Sequence, residues 1–72
     1  FNASVMDNLT LWRPDYNLKD IEQAAADAQM LQTITSHPEA FLRHLRDNGS
    51  DLSGGERQRL AIARALLMAP AN

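Results

Sequence analysis

Leu52-Ser53-Gly54-Gly55-Glu56-Arg57-Gln58-Arg59-Leu60-Ala61-Ile62-Ala63-Arg64-Ala65-Leu66-Leu67, followed by Pro70, decides how this chain folds. Ser53 and Glu56 stand at the spacing of a capping box, serine at the N-cap and glutamate three residues on, so a helix starts there. Leu60, Ala63 and Leu67 then form one apolar ridge, with Ile62 and Leu66 on a neighbouring one. Ala61, Ala63 and Ala65 raise helix propensity, and Pro70 stops the helix. Two glycines in the first helical turn each cost roughly 1 kcal/mol relative to alanine. They also clear side chains from the first free backbone N–H groups, where the helix dipole attracts an anion. Ser53 can accept from the Glu56 N–H while its own hydroxyl donates outward.

Working back from this helix, Asp47-Asn48-Gly49-Ser50-Asp51 has turn composition, and Pro38-Glu39-Ala40-Phe41 suits a single turn. Further upstream, Leu18, Ile21, Ala25, Ala28 and Leu31 recur at spacings of three and four behind a cap at Asn17. That stripe predicts one amphipathic helix running to about Thr35, ended by Ser36-His37-Pro38. Ser4 and Asp7 predict a shorter helix from Val5 to Leu11, which Trp12-Arg13-Pro14 breaks. No strand is expected. The fold class is all-α, with three main helices.

Composition sets the bounds. The chain has 72 residues and no cysteine, so it has no disulfide framework and no thiolate metal site. Its apolar fraction is 44% and its charged fraction 22%, which excludes a disordered or repetitive chain. The longest apolar run, Ala65 to Pro70, is far short of the roughly 20 residues that span a bilayer. A net charge of −2 divides into −4 over residues 1–40 and +2 over residues 41–72. This imbalance is too weak to imply a nucleic-acid surface, though the positive half suits an anion. His37 and His44 read as a helix-end residue and an exposed loop residue, not as ligands. A first residue of Phe and a small core suggest a piece of something larger.

The sixteen-residue string closely resembles the signature segment of ATP-binding cassette (ABC) ATPases. Phe1-Asn2-Ala3-Ser4-Val5-Met6-Asp7-Asn8-Leu9 is similar to the segment after the glutamine loop in exporter-type cassettes. Pro38–Phe41 and Asp47–Asp51 fall where exporters carry a Pro-Glu-Gly-Tyr turn and a Glu-x-Gly loop. The exporter resemblance as a whole implies a bacterial parent, and Asn8-Leu9-Thr10-Leu11-Trp12 bears a weak similarity to peptide or bacteriocin exporters. Three positions depart from the exporter pattern: Glu56 for glutamine, Asp47 for glutamate and Arg46 for glycine.

The resemblance implies that residues 1–72 are the helical subdomain of a nucleotide-binding domain, cut from an α/β phosphate-loop ATPase. Its signature residues Leu52, Ser53, Gly54, Gly55 and Glu56 would contact the γ-phosphate of ATP held by a second cassette. ATP hydrolysis in the parent would drive transmembrane transport at the cytoplasmic face of the inner membrane. The partners implied are that second cassette and the coupling helices of a transmembrane domain, received near Phe1–Leu11 and residues 41–51. The chain itself has no Gly-x-x-x-x-Gly-Lys-Ser/Thr phosphate loop and no apolar strand ending in Asp-Glu to hold magnesium. No catalytic or metal-binding residue is therefore assigned, and the chain alone is expected to be soluble and inactive. With Phe1, Val5 and Leu9 on an uncovered face, it is also expected to self-associate. Nucleic acid is not expected as a partner.

Two rival readings have other consequences. Leu-Ser-Gly-Gly-Glu also occurs in soluble ABC ATPases that act on nucleic acid or ribosomes. An unrelated helical interaction module would carry the Gly-Gly turn by coincidence. Arg57 through Arg64, and the absence of upstream coiled-coil heptads, favour the transporter branch.

Overall fold

A computed structural model describes residues 3–46 and 51–69. In chain order these form β1 (Ala3–Ser4), α1 (Val5–Thr10), α2 (Leu18–Asp27), α3 (Leu31–Thr35), a 3-10 turn (Ala40–Leu42), β2 (His44–Leu45) and α4 (Gly54–Met68). The chain is thus mostly helical. The all-α expectation is corrected by an antiparallel ladder pairing Ala3 with Leu45 and Ser4 with His44. Strands of two residues are too short to show alternation in sequence. His44 accordingly lies in a strand, exposed, and not in a loop.

Caps act where the sequence places them. Ser4 Oγ accepts from the Asp7 N–H at 3.0 Å, and Asn17 Oδ1 accepts from the Asp20 N–H at 2.8 Å. Leu11 and Trp12 take left-handed backbone angles, φ 52° and 61°, which end α1 at Thr10, one residue early.

The long helix expected from residue 18 to 35 is instead two. Gln29 turns left-handed at φ 63°. Its N–H donates to the Ala26 carbonyl, and the Met30 N–H reaches back to the Ala25 carbonyl at 2.8 Å. These two bonds make a Schellman stop, with Ala25 and Met30 both in the core beneath it. Leu18, counted in the apolar stripe, is 54% exposed because it sits in the first turn, outside the packed face.

Among the described residues, twelve buried ones form the core cluster, drawn from every helix, β2 and the loops. Leu9 of α1 is fully buried, and Met30 nearly so. Helix α4 lies against both α1 and α2, presenting Leu60 and the fully buried Ala63 to the core. Leu67 packs from the edge. Ile62 and Leu66 are exposed. Val5 and Leu9, expected on an uncovered face, instead pack inside the chain's own core. Phe1, most of the turn expected over Asp47–Asp51 (residues 47–50) and Pro70 lie outside the described residues.

Candidate functional site: the turn into helix α4

The segment entering α4 is held at both ends. On the upstream side, the Arg46 N–H donates to Asp51 Oδ2 at 3.0 Å. The Arg46 guanidinium lies 3.5 Å from Asp51 Oδ1, in reach but largely exposed, so the pair contributes little beyond geometry. Next along the chain, Leu52 is buried and inserts into the core. Between this apolar anchor and the first buried residue of α4, Leu60, the chain is free to present polar groups outward.

The capping box forms in full. Ser53 Oγ accepts from the Glu56 N–H at 3.1 Å, and the Ser53 N–H donates to Glu56 Oε1 at 2.9 Å. The Ser53 carbonyl takes the first helical bond, from the Arg57 N–H at 2.9 Å. Ser53, Gly54 and Gly55 are all exposed and Glu56 is half-buried. The amides of Gly54 and Gly55 belong to the first turn, which has no preceding carbonyls to bond. A Cβ built on Gly54 meets nothing within 4 Å, whereas one on Gly55 meets only Arg59 Nη1, at 3.3 Å.

The predicted residues are therefore adjacent in space, with Leu52 as the buried anchor and Ser53 to Glu56 as the polar rim. The rim can surround a tetrahedral oxyanion with a hydroxyl and backbone amides. Its one opposing feature is the Glu56 carboxylate, folded back toward Ser53. The Arg46–Asp51 link was not foreseen as a support of this turn. Opposite charges flanking a turn-rich stretch were the available signal.

Residues 2–71 match the ABC transporter family, and the chain belongs to that family, in the ATP-binding domain. It is 46% identical over 70 residues to a beta-(1→2)glucan export ATP-binding/permease protein of Rhodopseudomonas palustris, covering 97% of this chain and 12% of that protein. It is 44% identical over 70 residues to a cyclolysin secretion/processing ATP-binding protein of Bordetella pertussis, covering 97% and 10%. Among solved structures it superposes on a bacterial Atm1-family ABC exporter with ATP bound. There the TM-score is 0.87 and the identity 33%, over 97% of this chain and 12% of that one. The chain thus spans about a tenth of the length of these relatives.

Proposed function

We propose that this chain is the signature-bearing helical subdomain of the nucleotide-binding domain of an ABC exporter. The exposed Ser53-Gly54-Gly55 turn at the head of α4, open where a side chain would stand, carries this reading. In the assembled parent the turn faces the γ-phosphate of ATP bound by a second cassette. The Ser53 hydroxyl and the Gly54 and Gly55 amides donate to the phosphate oxygens, each such bond contributing about 1.5–3 kcal/mol. Magnesium and the attacking water are held elsewhere in the complete domain. The relatives are export and secretion proteins, which favours a transporter at the cytoplasmic face of a membrane over a soluble ATPase.

The coupling helices of the transmembrane domain rest on segments 1–11 and 41–51. Supporting this, the β1–β2 ladder sets parts of those segments side by side, with Leu42 projecting at 68% exposure. Cysteine cross-links from position 42 to the cytoplasmic loops of the parent test the placement. Their complete absence rejects it.

Alone, the chain supplies one wall of a shared site. Calorimetric titration with ATP is expected to show no affinity tighter than about 10 µM, with no turnover above background. Because Leu11, Trp12 and Leu42 are exposed, sedimentation is expected to show self-association. A strict monomer at high concentration argues that these side chains are ordinary surface.

Glu56 tunes closure. About 6 Å from a phosphate charge, its carboxylate meets a repulsion of roughly 0.7 kcal/mol in water and roughly 2.8 at an effective dielectric of 20. In a hydrolysis-blocked parent, Glu56→Gln keeps an acceptor for the Ser53 N–H and should tighten the ATP-bound dimer by about 1 kcal/mol. Ser53→Ala should weaken it by a similar or larger amount, losing donor and cap together. The ATP concentration dependence of dimer formation is the measurement. Weaker closure by Glu56→Gln means that the carboxylate pairs with a cation across the interface.

A further inference from the structure

We propose that Arg64 is a positioning residue that fixes the angle of α4 against α1, and through it the aim of the Ser53–Glu56 turn. This rests on the reading of that turn given above. The Arg64 Nε–H donates to the Asn8 carbonyl at 2.8 Å, and Nη2 donates to Asn8 Oδ1 at 3.4 Å. One guanidinium thus grips both the backbone and the side chain of a residue 56 positions away.

Both ends of the clasp are prepared for it. Asn8 lies in the last turn of α1, where the left-handed Leu11 and Trp12 end the helix and carbonyls run out of following amides. No basic residue of α1 itself occupies that turn, and Arg64 brings a cation to it from α4. Asn8 is braced in turn: its Nδ2 donates to the Ser4 carbonyl at 3.1 Å. Ser4 caps α1 and pairs with His44, and the Val5 N–H donates to the Arg43 carbonyl at 2.9 Å. Arg64 is therefore attached to a cross-linked block and not to a lone side chain. On α4, it follows Ala63 directly and Leu60 by one turn, at the rim of the buried face.

Geometry makes the clasp matter for function. The apolar contacts of Leu60 and Ala63 set how deep α4 sits, but apolar helix packing leaves a scatter of about 15–20° in crossing angle. A forked guanidinium is directional. Gly54 lies ten residues from Arg64, about 15 Å along the helix. A tilt of about 4° over that arm moves the head of α4 by about 1 Å, and a misplacement of that size can cost about a hundredfold in rate.

The test uses the full-length parent, with ATP as the probe. Arg64→Lys keeps the charge but loses the fork. It should lower kcat about tenfold, with KM for ATP within about twofold and most of the protein still folded. Asn8→Ala, which leaves the carbonyl bond in place, should lower kcat about threefold, and the double variant should lose less than the product of the singles. If Arg64→Lys does not fold, the Asn8→Ala split between kcat and KM carries the test. An unchanged kcat per folded molecule, or a double variant equal to the product of the singles, overturns the proposal. Ser53→Ala run alongside separates the two readings. If Ser53→Ala is impaired and Arg64→Lys is not, only the positioning role fails. If Ser53→Ala is itself unaffected, the reading of the turn fails and takes this role with it.

Discussion

Leu9→Ala is expected to destabilise the ATP-binding domain that contains this chain by about 2–5 kcal/mol, the range for truncating a buried leucine. Leu9 has no exposed surface and sits in α1, which packs on α4 as well as on the 3-10 turn. Its side chain therefore shares one core cluster with Phe41, Leu60 and Ala63. Alanine leaves a cavity around which the core relaxes only in part. Against a typical domain stability of about 5–15 kcal/mol, this is a large fraction. Leu42→Ala is the matched control. At 68% exposure its truncation should change stability by no more than about 0.5 kcal/mol. Chemical denaturation reads both as shifts in midpoint at constant slope. Equal effects from the two substitutions contradict the core assignment.

What the sequence showed of this fold depended on which residue type carried each signal. Serine and asparagine caps are chemical signals, and Ser4, Asn17 and Ser53 all cap where they were expected to. The break at Gln29 had no such mark. A left-handed helix stop normally announces itself as glycine, and here a glutamine takes the strained angle because Ala25 and Met30 bury beneath it. The apolar spacing runs on across the break, so periodicity alone reads two helices as one. The ladder between Ala3–Ser4 and His44–Leu45 is a long-range pairing that two residues cannot encode. Val5 and Leu9 were legible as apolar, but which partner covers an apolar stripe is a tertiary matter. The turn at Ser53–Glu56 was the most legible part, because cap, glycines and helix lie together in sequence. Its supports, Arg46–Asp51 and Arg64–Asn8, depend on where distant elements meet.

Gly54→Ala is expected to stabilise the free domain while impairing the assembled one. Beyond its chain neighbours and its own helix backbone, a methyl group at this position meets no atom within 4 Å among the described residues, and Gly54 is already within α4. Helix propensity alone then favours alanine by up to about 1 kcal/mol, less in a first turn. The fold thus gives no reason for glycine here. On the function proposed above, the reason is the phosphate that the turn receives. In that reading a phosphate oxygen comes within about 2.7–2.9 Å of a first-turn N–H group, and a methyl group added at Gly54 crowds its approach. ATP-driven dimerisation of the parent should therefore weaken at least about tenfold, or about 1.4 kcal/mol, while the melting temperature of the undimerised domain stays level or rises. Gly55→Ala calibrates the result, since its methyl crowds only the flexible end of Arg59, at 3.3 Å. The two measurements must move in opposite directions for Gly54→Ala. If stability rises and dimerisation is untouched, no anion approaches this turn, and Ser53 to Glu56 serve only to start a helix.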